Sequence, residues 1–465
     1  MKTIKYFLST LAVIFLLTNT SCKKDFFTDV NKNPNTPPAV VPYVILSTVE
    51  GTLGFTQTST HCFFTSMFTQ QTLGASRQAA AYYQYVVTGQ DLDDPFSNWY
   101  TSVMENDYQL MKLADQRADN QYSGISRILM AFALQQVVDA WGSTPYSQAF
   151  NGLDNVHPAY DKDVDLYTTM GKLVDDGIAF INNASPGPDD PSQHGEDVIY
   201  GGDASKWIKF GHAIKARLAI HQSKGNIAMA NAALAEAALS FTSNDDNAKY
   251  PFSTDETGAN ARYQYNENRG DISYTSSTLA TMMATNNDPR YQSLFDSTFN
   301  DVNLVGLGAY YGEPNAVAEF ITYEEIQHIK AEAILRISGD FAAATTEDTI
   351  AIRASFNRLG LKATGVDSTA DSIVLHNDSV YIANHLLPTT TVNDAIAAVA
   401  YESWVSNFLN PEAWATWRRT NAPMLTPVSG SQIPRRFLYT QSEHTFNGEN
   451  TPSSTLYTPK LFWDN

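Results

Sequence analysis

Apolar residues recur along most of this chain at the three- and four-residue spacing of a helix face. Met130, Leu134, Val137, Val138 and Trp141 follow it, and Arg127 to Trp141 is so apolar that the predicted helix is buried on most sides. Asp203 is a ready N-cap for a helix reaching about Ser223. Trp207, Gly211, Ile214 and Leu218 form its inner stripe, and Lys206, Lys209, Lys215 and Arg217 fill its other faces. Thr322 and Glu325 have the spacing of a capping box. The helix they open carries Ile326, Ile329, Ala333 and Ile337 and stops at Gly339. Asn393 to Leu409 turns Ala397, Tyr401, Trp404 and Phe408 inward, and Asn410-Pro411 ends it. Trp99 to Asp119, Val164 to Asn182, Ile227 to Phe241 and Thr346 to Leu361 complete the predicted helices. Several fall in pairs joined by short links, which predicts an all-α fold of stacked helical hairpins, tetratricopeptide-like, although the signature residues of that repeat are not legible.

Long polar, aromatic-rich segments interrupt the helices at Thr72 to Asn98, Gly142 to Val164, Ser185 to Gly202, Thr242 to Thr278 and Asn300 to Ala318. Loops of this length in a compact body are functional or disordered, and their Tyr and Gly content favours binding loops. Composition narrows the picture. The 465 residues are 43% hydrophobic, enough for a sizeable core and against global disorder. Lys and Arg number 30 against 49 Asp and Glu, a formal charge of −19 that repels phosphate backbones and weighs against nucleic-acid partners.

The first residues have the form of a secretory signal: Lys2 and Lys5, then an apolar run from Phe7 to Leu17 too short to span a bilayer. Ser21-Cys22 just beyond it is similar to a bacterial lipobox, so residues 1–21 are expected to be removed and Cys22 to be lipidated. Several acyl chains anchor durably, since each buried CH₂ contributes about 0.8 kcal/mol. Residues 22–38, dense in Asn and Pro, read as an extended tether, and 39–465 as a single body.

Walker A, G-x-G-x-x-G, G-x-S-x-G and H-E-x-x-H motifs are all missing from the sequence, and the nine histidines show no metal-ligand spacing. His61 and Cys62 are adjacent, which sets their side chains apart, so Cys62 reads as a small buried hydrophobe. The acid pairs Asp93-Asp94, Asp175-Asp176, Asp189-Asp190, Asp245-Asp246 and Glu324-Glu325 read as solvated surface, because a glycosidase needs carboxylates across a cleft. Arg269-Gly270-Asp271 spells an adhesion tripeptide and is read as chance. The loop aromatics carry more chemistry. Tyr82, Tyr83 and Tyr85 crowd beside Arg77 and Gln78; Tyr263, Tyr265 and Asn266 crowd beside Arg262 and Arg269; Tyr310 and Tyr311 follow a glycine-rich turn. Aromatic rings pack on the C–H faces of sugars while Asn, Gln and Arg bond their hydroxyls. The same tyrosines could instead pin the loops to the body.

Taken in order, several strings resemble the SusD/RagB family of outer-membrane nutrient-binding lipoproteins of Bacteroidetes, in its divergent branch. They are Asp29-Val30-Asn31-Lys32-Asn33-Pro34-Asn35, Leu129-Met130-Ala131-Phe132, Val138-Asp139-Ala140-Trp141-Gly142-Ser143-Thr144-Pro145-Tyr146-Ser147 and Ile199-Tyr200-Gly201-Gly202-Asp203. Lys215-Ala216-Arg217-Leu218-Ala219, Asn287-Asp288-Pro289-Arg290, Ala331-Glu332-Ala333, Trp417-Arg418-Arg419-Thr420, Ile433-Pro434-Arg435-Arg436-Phe437-Leu438-Tyr439 and Phe462-Trp463-Asp464 follow. The resemblance implies right-handed stacked hairpins with a large loop-rich ligand-binding side. It implies non-enzymatic capture of an oligosaccharide, or in some members a peptide, as the lid of a SusC-like TonB-dependent transporter. It also implies an outer-membrane lipoprotein facing the cell exterior; no cofactor and no metal site are read from the sequence, whose acidic loops lack the D-x-[DN]-x-[DN]-G calcium ladder. Arg418, Arg419, Arg435 and Arg436 are then expected to hold the C-terminal region, and Trp141, Trp207, Trp404 and Trp463 to be core. Trp99 falls where the family often places a sugar-stacking aromatic. The candidate ligand residues are therefore Arg77, Tyr82, Tyr83, Trp99, Tyr263, Tyr265, Asn266, Arg269, Tyr310 and Tyr311. The competing expectation is a lipid-anchored helical glycosidase or polysaccharide lyase.

Overall fold

The computed structural model describes residues 41–185, 191, 195–296, 306–361 and 378–464. The signal, Cys22, the tether and Asp189-Asp190 lie outside the described residues. Helices dominate, as expected. In chain order they include α1 (Pro42–Gln57), α2 (Thr60–Phe68), α3 (Arg77–Tyr83), α4 (Asp93–Ser97) and α5 (Glu105–Arg117). Next come α6 (Asn120–Trp141), α7 (Asp163–Asn182), α8 (Ala204–His221), α9 (Ile227–Leu239), α10 (Ala261–Arg269) and α11 (Thr278–Thr285). The last are α12 (Tyr323–Ser338), α13 (Phe341–Arg358), α14 (Val392–Ser406), α15 (Glu412–Thr420) and α16 (Gln441–Phe446).

Local chemistry explains the long helices. Asp119 caps α6 by accepting from the Tyr122 N–H, so α6 begins seven residues earlier than the apolar run alone suggests. Asp203 caps α8 through the Ser205 and Lys206 N–H groups, and Asp340 caps α13 at Ala343. Thr322 caps α12 at Glu325, and Gly339 closes it at φ 66°. Trp99 does not start an α-helix: Asn98–Met104 is wound as a π-helix leading into α5. Neighbours in sequence pack pairwise, α6 on α7, α8 on α9 and α12 on α13, and the pairs stack through α7–α8 and α9–α12 contacts. The α6–α7 crossing needs glycine: a Cβ on Gly124 would lie 2.6 Å from the Gly177 carbonyl, and one on Gly177 2.9 Å from the Gly124 carbonyl.

Trp141, Trp207, Trp404 and Trp463 are buried, as expected of core residues. The core also holds buried charge. Arg217 of α8 pairs with Glu325 of α12 at 2.7 Å, and Arg419 of α15 with Glu332 of α12 at 2.9 Å. Arg358 bridges Glu319 at 2.8 Å and Glu324 at 2.7 Å, and Arg290 pairs with Asp288 and Glu402. Glu324-Glu325 is thus not a solvated pair: adjacent residues on a buried helix each meet a different arginine. Asp246 is likewise buried, paired with Lys209 at 2.9 Å. The C-terminal arginines act as expected. Arg418 donates to the Asp139 and Arg435 carbonyls, Arg435 pairs with Asp464, and Arg436 donates to the Trp141 and Pro459 carbonyls.

Two small clasps set the loop-rich side. β1 (Leu73–Gly74) pairs antiparallel with β3 (Ile272–Ser273), Leu73 opposite Ser273. β2 (Ala248–Tyr250) pairs antiparallel with β4 (Ala318–Ile321), with a register shift at Ala248/Lys249. The Ala75 N–H also donates to the Asp271 carbonyl at 2.8 Å. Because α3 follows β1 and α10 precedes β3, this clasp brings two tyrosine-bearing helices together from about 180 residues apart in sequence.

Candidate ligand cleft

A cleft of about 510 Å³ opens between these helices. Thr60, Phe63, Phe64 and Met67 of α2 form its floor. Gln78 and Tyr82 of α3 form one wall, Tyr265 and Arg269 of α10 another, and Gln90, Asp91 and Asp94 the rim. Its rings are braced in pairs: Phe64 and Tyr82 have centroids 4.5 Å apart at 49°, and Phe63 and Tyr265 4.5 Å apart at 55°.

Each cleft tyrosine is tied by its hydroxyl. Tyr82 donates to Asp91 Oδ1 at 2.8 Å, and Tyr265 to Asp271 Oδ1 at 2.7 Å. Burial and the carboxylate partner hold both phenols neutral, raised above their usual range. Asp91 also accepts from Gln78 Nε2 at 3.2 Å and from the Thr88 N–H and hydroxyl at 2.8 and 2.6 Å. Its burial pushes the pKa up, but the bonds from Thr88, Tyr82 and Gln78 outweigh that, and the group stays below the usual carboxylate range. The Arg269 guanidinium lies 5.7 Å from the Tyr265 ring centroid and 3.6 Å from Asp271. The result is a set of fixed ring faces beside amide, guanidinium and carboxylate groups.

The structure therefore gathers Tyr82, Tyr265 and Arg269 and disperses the other candidates. Trp99 is fully buried and donates from Nε1 to His61 Nδ1 at 2.9 Å, leaving no face for a ligand. Asn266 is buried and bonds the Tyr274 hydroxyl at 3.0 Å. Tyr310 and Tyr311 donate to the two oxygens of Glu319 at 2.7 and 2.8 Å, within the Arg358 cluster and outside the cleft lining. Tyr83 packs on the same apolar cluster as Phe63, Met67 and Tyr265, Tyr263 is half-buried, and Arg77 is exposed at the start of α3; none of these three candidates, Tyr83, Tyr263 and Arg77, lines the cleft. Phe63, Phe64, Met67, Asp91 and Asp94 are cleft residues that sequence reasoning missed. Phe63 and Phe64 sit in an apolar run indistinguishable from core, and both are buried beneath the cleft, where they back the Tyr265 and Tyr82 rings.

Two other clusters bear on chemistry. The Cys62 thiol is raised by burial and donates to the Leu409 carbonyl at 3.0 Å. Burial and the nearby Arg418 charge lower His61 to about 3, so the adjacent pair forms no thiolate–imidazolium couple. Asp139, His221 and Glu412, far apart in sequence, converge with ion-binding spacing. Both imidazole nitrogens are engaged, Nε2 with Glu412 at 2.9 Å and Nδ1 with the Tyr167 hydroxyl at 2.8 Å. Arg217 and Arg419 lie 3.4 and 3.8 Å from the Glu412 carboxylate, so the geometry is that of a hydrogen-bonded ion cluster.

Residues 34–440 match the SusD-like_2 family, described as "Starch-binding associating with outer membrane". Similar solved structures include a SusD/RagB family protein from Bacteroides thetaiotaomicron, 21% identical, covering 92% of this chain and 99% of that one at a TM-score of 0.73. A chitin-binding protein is 20% identical, covering 91% and 100% at 0.74. A chitin-binding SusD homolog from Flavobacterium johnsoniae is 20% identical, covering 86% and 93% at 0.68. Among curated proteins none matches this sequence.

Proposed function

Since the chain belongs to the SusD-like family of starch-binding proteins associated with the outer membrane, we propose that it captures an oligosaccharide in the cleft between α2, α3 and α10 and hands it to a transporter. The observation that carries this reading is the pair of half-buried Tyr82 and Tyr265 rings, braced by the buried Phe64 and Phe63, with Gln78, Asp94 and Arg269 at the same opening. Pyranose faces pack on such rings, and hydroxyls bond the polar groups around them. Fixing the rings in advance lowers the ordering cost of binding. The ligand class is a neutral glycan, and the chitin-binding relatives make β-linked amino-sugar polymers natural members of the test panel.

The rest of the reading follows the family. Cys22 carries lipid, the body faces the cell exterior, and the protein covers a SusC-like TonB-dependent barrel. The role is binding without turnover. Asp91 supports this against a glycosidase, because a carboxylate held ionised by several donors is a brace and a poor proton donor. The test is isolation of the tagged protein from native outer membrane in mild detergent, followed by incubation of the complex with starch and chitin oligosaccharides. A co-purifying barrel at near-equal amount and oligosaccharides retained at unchanged length are expected. The protein running alone, or shortened oligosaccharides, would overturn the importer reading.

A further inference from the structure

A second concavity, of about 400 Å³, lies on the other side of α4 from the cleft. Asp91 and Asp94 line the cleft, whereas Asp93, Phe96 and Ser97 line this pocket. One wall is aromatic. The Phe96 and Tyr100 rings lie 4.5 Å apart, and Tyr100 and Phe150 6.3 Å apart at 28°. The Tyr100 hydroxyl donates to the Pro145 carbonyl at 2.7 Å, and Phe150 stacks on Tyr108 at 5.3 Å, so both rings are fixed. Three carboxylates from three elements face the same space: Asp93 of α4, Glu105 of α5 and Glu443 of α16. The lining contains no lysine, arginine or histidine.

Each carboxylate uses one oxygen to hold the fold. Asp93 Oδ1 accepts from the Ser442 N–H at 2.9 Å, Glu105 Oε1 from Gln109 at 2.9 Å, and Glu443 Oε2 from Tyr160 at 2.8 Å and Asn447 at 3.2 Å. Among the described residues none of the three has a cationic partner. A neutral sugar would leave that charge uncompensated, and an anion would be repelled. A cation with an apolar body satisfies both features: ring faces attract an ammonium group, and carboxylates at the edge of an apolar wall attract it more strongly than they would in open water.

We propose that this pocket is a second binding site, selective for a protonated amine carried on an apolar or pyranose body, with de-acetylated amino-sugar oligomers as the glycan form of that chemistry. The site is independent of the cleft, and its test keeps the two apart. Calorimetric titrations at low ionic strength would compare glucosamine oligomers, their N-acetylated neutral counterparts and the plain diamine 1,5-diaminopentane. Glu105→Gln removes one charge whose fold contact is a Gln109 bond on the same helix. Ala149→Trp fills the pocket and leaves every charge in place. Tyr265→Ala disables only the cleft.

Both amines are expected to bind the unaltered protein. Affinity should fall about fivefold or more in Glu105→Gln, vanish in Ala149→Trp, weaken with added salt and remain unchanged in Tyr265→Ala. The N-acetylated oligomers should be insensitive to Ala149→Trp. Diamine binding without glucosamine-oligomer binding would keep the amine site and remove the sugar body from it. No binding of either amine, or equal affinity in the unaltered protein and both pocket variants, would overturn the proposal. Loss of neutral-glycan binding in Tyr265→Ala tests the cleft separately.

Discussion

Asp91 and Asp271 decide how Tyr82 and Tyr265 present their rings, because each phenol is anchored through its oxygen and only the ring face remains for a ligand. Ring and anchor can therefore be separated by mutation. Tyr82→Phe keeps the face and loses a charge-assisted bond; unfolding in urea should show a loss of about 1.5–3 kcal/mol with oligosaccharide affinity nearly unchanged. Tyr82→Ala should instead weaken affinity about tenfold, or about 1.4 kcal/mol. Equal affinity in the alanine variant would exclude Tyr82 from the ligand surface. His61 supplies a pH dependence. Its folded value of about 3 lies below its ordinary 6.5, so between these values the unfolded chain binds a proton that the folded chain refuses. Stability is therefore full above about 6.5 and falls as pH drops through that window, by at most about 1.4 kcal/mol per unit. His61→Gln should flatten the unfolding free energy between pH 6.5 and 4.5, and an unchanged slope would contradict the assignment. At this scale the sequence was only partly legible. Tyr82, Tyr265 and Arg269 stood out by crowding with polar partners. Trp99 stood out too, yet it is enclosed beside His61, because a tryptophan on a helix carries the same sequence signature whether its partner is a ligand or the core.

At the scale of elements, the long helices were readable because caps and apolar stripes agree, as at Asp203, Thr322 and Gly339. The short helices were not. α3 and α10 lie within segments read as loops, and what fixes them is tertiary: the Leu73–Ser273 pairing and the Asp271 carbonyl. Buried ion pairs were also hidden, since Glu324 and Glu325 look like a surface pair until α12 is seen between Arg358 and Arg217. Gly177→Ala must push α6 and α7 apart and should cost about 1–3 kcal/mol in chemical unfolding, whereas Gly171→Ala on the same helix meets nothing and should be neutral or mildly stabilising. Glu332 is buried, which raises its pKa, but Arg419 and Arg336 hold it down to about 2, below its ordinary 4.5. A depressed carboxylate stabilises above its unfolded value, so this contribution is intact above about 4.5 and is lost as pH falls toward 2. Its full size is about 3 kcal/mol. Glu332→Gln should remove stability at neutral pH and reduce the further loss in acid; a variant with an unaltered acid limb would show that the pair contributes nothing.

The described body is a stack of helical pairs, and its short elements form the proposed cleft. Its family was legible because the strings that mark it, such as Trp417-Arg418-Arg419-Thr420 and Ile433-Pro434-Arg435-Arg436-Phe437, form the buried C-terminal lock of the scaffold. The cleft was less legible because its residues come from α2, α3, the Gln90–Asp94 segment and α10, which no sequence spacing connects. Capture of an oligosaccharide in the cleft without turnover is measured by titrating starch and chitin oligosaccharides into the unaltered protein and into a Tyr82→Ala/Tyr265→Ala double variant, with the sugars recovered and sized afterwards. Saturable binding of at least one oligosaccharide, a loss of at least about tenfold in the double variant, and recovery of the sugar at its original length are expected. Binding that survives the double substitution, or any shortening of the recovered sugar, would contradict this reading.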